Sequence, residues 1–314
     1  MAASPRASNA LHFARWRGVV LLGVLGAWLA AHLGGRRLGL APTAPAEPVA
    51  DAARARSWRR PRGAPGAAPD EPPVPANFLR AEPTAERARA RWQQTLRWRA
   101  DERVDVILSE PNAVFYALKA HYPHYLHLPD KEGHLTYWEL PGRLNLGALK
   151  KLGVDPSRGY RHYVWHTEYT WQLAAPKEGA QATVLFDAAG FGWDQLSFEL
   201  LELIKRIVYF TNQHYPHRAA RIIVLNTPAW YGALHSMLKP IMSDVCETKL
   251  VFLSPQQVAA GDLTRWIDAA NLPAQYGGKS RLQLGESRHE KAMRAFVDKA
   301  NRRAGVRPVQ PLAV

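Results

Sequence analysis

The residues best placed for chemistry run from Gln181 to Asp194, QATVLFDAAGFGWD, where an apolar stretch ends in Asp187 and the chain turns through Gly190 and Gly192. A carboxylate at the end of a strand beside a glycine turn is where α/β enzymes commonly hold a nucleotide or a metal. The spacing completes no such device. GFGWD lacks the third glycine of a dinucleotide fingerprint because Gln195 stands there, and no phosphate-cradling lysine follows. A G-x-S-x-G nucleophile elbow is absent too. Asp187 has no evident catalytic partner and reads as the cap of the following turn. His121, His124 and His127 are spaced by three, as on a helix face, but Pro123 would break that helix. No fourth metal ligand is in view. Cys246 is the only cysteine, which excludes an intrachain disulfide and a cysteine-based metal site. The residues therefore predict a protein that is not an enzyme and holds neither a metal nor a cofactor.

The elements that position these residues alternate. Residues 85–99 form an arginine-rich helix with Ala88, Trp92 and Leu96 on one face. Residues 104–120 add helical turns interrupted at Pro111, and HLTYWEL (134–140) alternates as a strand after the turn DKEG. Residues 159–173 favour a helix by length. Residues 182–186, 221–225 and 249–253 read as buried strands. Residues 196–213 carry the clearest helical stripe: Leu196, Leu200, Leu203, Ile204, Ile207 and Val208. Residues 262–270 predict a short helix and 286–303 a basic amphipathic one. Strands separated by helices imply a mostly parallel sheet with helical cover, an α/β fold.

Residues 230–242, WYGALHSMLKPIM, predict a helix as far as Pro240 that is apolar on more than one side, with Trp230, Leu234, Met237, Leu238, Ile241 and Met242. A Met- and Leu-rich helix beside a sheet suits a core, and it also suits the wall of a pocket for an irregular apolar ligand. Lys239 lies inside this run, and a buried ammonium needs a partner, either an anionic ligand group or water at the surface.

The N-terminal part of the chain has a different composition. Ten of the 24 prolines precede Asn77, so residues 36–76 read as a disordered Pro/Arg/Ala-rich linker that cannot bury enough apolar surface to offset its chain entropy. The net charge is +14, and Arg54, Arg56, Arg59, Arg60 and Arg62 crowd this linker. Such a cluster is a solvated face or an attraction to an anionic membrane surface, at about 1 kcal/mol per nearby cation. No nucleic-acid recognition motif accompanies it. Residues 18–35, between Arg17 and Arg36, are 18 residues without formal charge. They span roughly 27 Å as a helix, barely a bilayer core, and read as a single-pass anchor after a short tail of residues 1–17. The larger cationic cluster after the segment favours an endomembrane protein with a cytosolic domain. A cleaved signal or transit sequence is the alternative.

Six stretches in order resemble the CRAL-TRIO lipid-binding family, particularly its phosphatidylinositol-transfer members. They are NFLRAE with Trp98 and Arg99, HYPHYLHLPDKEGHLTYWEL, TVLFDAAGFG, HYPHRAARIIVLNTP, LKPIMSDVCETKLVFL and NLPAQYGGKS, together covering residues 77–280. The resemblance implies a small helical region over residues 77–125, a lipid-binding α/β domain over 126–285, and a basic C-terminal helix and tail over 286–314. It further implies an apolar cavity that encloses one lipid behind a mobile gate helix, exchanged at a membrane without a chemical step. On it, the ligand-binding positions are Tyr137, Ala182, Val184, Arg206, Tyr209, Leu225, Leu234, Met237, Leu238, Lys239, Ile241 and Met242. The family's phosphate-binding lysine is present as Lys239, while Glu82 and Pro83 occupy the place of a basic residue. Arg206 stands at an acidic position of the family, and Ala182 and Val184 replace small hydroxyl residues. A phosphoinositide with Arg206 compensating, and a non-phospholipid apolar ligand, both stay open. A scaffold that binds a signalling protein on the same fold is the alternative of another class.

Overall fold

The computed structural model describes residues 72–191, 198–227 and 249–313. Helices α1 (Ala76–Ala81) and α2 (Ala85–Asp101) open it, and the Thr84 hydroxyl caps α2 by accepting from Arg87 N–H. A 3-10 turn, Val104–Ser109, leads into α3 (Phe115–His121), so Pro111 does separate two helical pieces. Strands β1 (His124–His127) and β2 (Leu135–Glu139) follow, then α4 (Leu146–Lys151) and α5 (Pro156–Tyr169). Asp155 caps α5 and Pro156 fills its first position, where a missing N–H costs nothing. That start lies three residues before the expected one, and the helix runs on into a π turn, Thr170–Ala174.

Strand β3 (Ala182–Asp187), helix α6 (Phe198–His214), strand β4 (Ala219–Leu225) and strand β5 (Leu250–Leu253) complete the sheet. Its order is β1-β2-β3-β4-β5, antiparallel between β1 and β2 and parallel thereafter. Helix α7 (Pro255–Ala259), held by a Ser254/Gln257 capping box, and helix α8 (Arg288–Arg303) close the chain. The helix expected over residues 262–270 is instead two 3-10 turns, Asp262–Arg265 and Ala269–Asn271. The three-spaced histidines fall at the end of α3 and in β1, with Pro123 at the break between them.

The sheet separates two cores. On one face Trp138, Leu185, Ile223, Leu225 and Leu253 pack under Val258, Leu263, Ile267 and Tyr276. On the other, Leu126 and Leu135 pack against Val164 and Trp165 of α5, Phe210 of α6, and Met293 and Val297 of α8. The expected α6 stripe is turned this way at Leu203 and Ile207, and Phe210 extends it. The first helices are clamped to α5 and to the end of α6. Arg91 donates to the Asn212 and Gln213 carbonyls, Trp98 stacks on His214 at 4.1 Å, and Arg99 pairs with buried Glu168 at 2.9 Å.

Candidate functional site

Register defines the site. Across the face opposite Leu225, Tyr137 of β2 lies beside Val184 of β3, Ile222 of β4 and Leu250 of β5. One step along, Glu139 lies beside Phe186, Val224 and Phe252. Each row begins with a polar group on β2 and continues apolar to the sheet edge. The six apolar members are half-buried, and among the described residues neither packed core includes them. Leu203 and Ile207 of α6 pack, with Tyr137 and Tyr163, against the core on this face of the sheet. A surface that is polar at one end and apolar along the rest complements an amphiphile.

The polar end is built from buried groups. The Glu139 carboxyl is 2% exposed and accepts from the Tyr122 and Tyr163 hydroxyls, while burial pushes its pKa above the usual carboxylate range. Burial first, and then the Glu139 charge, hold the Tyr122, Tyr137 and Tyr163 hydroxyls well above their usual pKa. Next to them runs a chain of imidazoles. A carbonyl can only accept, so His124 Nδ1–H donates to the Tyr122 carbonyl at 2.7 Å. Its Nε2 must then accept from His162 Nε2–H at 2.9 Å, and His162 Nδ1 accepts from the Asn112 amide at 3.1 Å. Both rings are neutral in this arrangement, and burial pulls His162 down to about 3. His166, beside the Tyr137 ring at 5.1 Å, is buried with Nε2 lacking a hydrogen-bond partner among the described residues.

The predicted site residues are scattered by this geometry. Tyr137 and Val184 are neighbours in one row, and Ala182 lies two residues from Val184, buried beside Leu135 where the β3–β4 register shifts. Leu225 is placed on the opposite face, fully buried in the other core. Arg206 lies over the Tyr160 ring at 3.8 Å and pairs with Glu102 at 3.3 Å, and Tyr209 is 60% exposed. Leu234, Met237, Leu238, Lys239, Ile241 and Met242, with the whole of the segment expected to be an apolar helix, lie outside the described residues. Phe186, Ile222, Val224, Leu250 and Phe252 went unselected, although the alternation that contains Val184 also contains Phe186.

Asp187 is committed to structure. Its carboxylate accepts from Ala189 N–H at 3.0 Å, the Asn226 amide at 2.6 Å and the Tyr276 hydroxyl at 2.8 Å. This ties the ends of β3 and β4 to the 3-10 turn Ala274–Tyr276. The turn it caps sits so close to Gly142 that a Cβ there would meet the Ala189 oxygen at 1.8 Å. Among the described residues no group of three or more His, Cys, Asp or Glu could hold a metal ion.

The chain belongs to the CRAL/TRIO domain family, whose pattern matches residues 119–278. It is similar to the phosphatidylinositol/phosphatidylcholine transfer protein SFH7 of Arabidopsis thaliana, 29% identical over 211 residues, 64% of this chain and 38% of that protein. It is also similar to the SEC14 cytosolic factor of Candida glabrata, 25% identical over 62% of this chain and 66% of that protein. The chain thus spans less than two thirds of the length of both. A crystal structure of Sfh5 superposes with a TM-score of 0.49 at 15% identity, over 68% of this chain and 78% of that one.

These relatives correct the expected single-pass membrane placement. The Candida glabrata protein and its counterpart in Eremothecium gossypii are both named cytosolic factors. Among the described residues no helix is long and apolar enough to cross a membrane, and residues 18–35 lie outside them.

Proposed function

We propose that this protein binds one lipid and carries it between membranes, with the acyl or other apolar part lying along the β3–β5 half of the sheet and the polar part at β2. The observation that supports this is the pair of transverse rows, Tyr137–Val184–Ile222–Leu250 and Glu139–Phe186–Val224–Phe252, each polar at one end only. Six half-buried apolar side chains on one sheet face lose stabilisation in water, at about 25 cal/mol for each Å² left exposed, so an apolar occupant is favoured. The names of the relatives add phosphatidylinositol and phosphatidylcholine as candidate cargo. Residues 230–242 are the proposed gate, with Lys239 as the cation for a phosphate. The lipid unit is residues 126–285, with residues 77–125 as its helical brace and 286–314 as a basic C-terminal element. No chemical step enters this reading: cargo is shielded, carried and exchanged.

The test is native mass spectrometry and solvent extraction of the purified full chain, followed by transfer of labelled lipid between vesicles. One co-purified lipid per chain and protein-dependent transfer are expected. Lipid-free protein that moves none of phosphatidylinositol, phosphatidylcholine or a sterol would refute the proposal.

A further inference from the structure

Helix α8 divides sharply into two faces. Glu290, Met293, Val297 and Asn301 are buried, and the buried side is locked in place by polar contacts as well as packing. Glu290 accepts from the Lys119 ammonium at 2.9 Å and from Leu126 N–H at 2.8 Å. Asn301 exchanges two hydrogen bonds with the backbone of Asn112. Both acids of the helix are thereby turned inward or engaged, since Asp298 accepts from the Tyr116 hydroxyl at 2.8 Å. Glu286, just before the helix, accepts from Gln283 N–H. What remains outward is Arg288, Lys291, Lys299, Arg302 and Arg303, all exposed, with exposed Ala292 and Ala295 between them. Among the described residues none of these cations has an ion pair, and Arg288 donates to the neighbouring His289 Nε2 at 3.4 Å. At 1.5 Å per residue the stripe is about 22 Å long.

We infer that this acid-free stripe is the docking surface for an anionic lipid membrane. The inference rests on the lipid-carrier reading for its choice of a membrane over other polyanions. The stripe itself supports the same choice. Its exposed residues include no aromatic ring on which a nucleic-acid base could stack, and stacking is the usual partner of charge in single-strand binding. Small alanines between the cations let a flat surface approach all of them together. Because α8 packs on β1, at the sheet edge remote from β5, docking uses a different flank from the β3–β5 lipid face. Removing charge from α8 therefore weakens membrane association without emptying the lipid site.

The experiment compares the full chain with Lys291→Gln/Lys299→Gln/Arg303→Gln and with a control of equal charge loss on α2, Arg87→Gln/Arg89→Gln/Arg97→Gln. Sedimentation with phosphatidylserine/phosphatidylcholine vesicles is expected to show about a hundredfold weaker association for the α8 variant. The control should change little, and raised salt should erase the difference. Melting temperature and lipid occupancy by native mass spectrometry should match the parent chain. Unchanged vesicle association of the α8 variant, an equal loss in the α2 control, or preferential binding of polyuridine RNA through the same cations would each overturn the inference. Loss of lipid from the parent chain would instead count against the carrier reading, so the two failures are distinguishable.

Discussion

The polar end of the site depends on single protonation states. The His162 Nε2–H is donated to His124 and its Nδ1 accepts from the Asn112 amide, which leaves the ring no site for a second proton. Its pKa is about 3 when folded, because of burial and then the Lys119 charge, against an ordinary 6.5. Between those values the unfolded chain binds a proton that the folded chain does not. Stability is therefore fully present above pH 6.5 and falls as pH drops toward the folded value, by about 1.4 kcal/mol per pH unit for this one group. Urea denaturation at a series of pH values should show that fall, and His162→Phe should reduce its slope. A slope unchanged by the substitution would contradict the assignment of His162 as a buried neutral ring.

At the scale of elements, α8 completes the sheet edge. The β1 backbone at Leu126 faces no further strand, and its N–H and C=O are taken by the Glu290 carboxylate and the Ser287 hydroxyl instead. Lys119 neutralises that carboxylate with both groups almost wholly buried. Breaking a buried pair leaves an uncompensated charge, so Lys119→Met should destabilise by about 3–5 kcal/mol in a denaturation experiment. A loss under about 1 kcal/mol would mean that the pair is solvated. None of this was legible in the sequence, where an acid in a basic helix reads as part of a solvated face. Strand β1 was missed for a related reason: HYLH has no alternation and is held by its neighbours. The longer elements were legible because their periodicity is strong. The alternation in HLTYWEL already put Tyr137 and Glu139 on one face.

For the whole molecule, the sequence specified the fold class but not which side of a buried strand forms the proposed lipid face. After Arg221, RIIVL is apolar at every position, as strands covered on both faces are, so its phase cannot be read from pattern alone. A one-residue shift exchanges the faces, so Leu225, a position implied by the family resemblance, lies on the face opposite Ile222 and Val224. This makes adjacent residues of β4 opposite probes of the central claim. Val224→Trp, with Val184→Trp as a second variant, should fill the lipid face and leave the melting temperature close to that of the parent. Leu225→Ala removes packing from the other core and should cost about 2–5 kcal/mol of stability. Native mass spectra of the three purified proteins, taken below the melting temperature of each, are the decisive measurement. One bound lipid on the Leu225→Ala protein and none on either tryptophan variant is the predicted result. Full lipid occupancy in the folded Val224→Trp and Val184→Trp proteins would contradict the account.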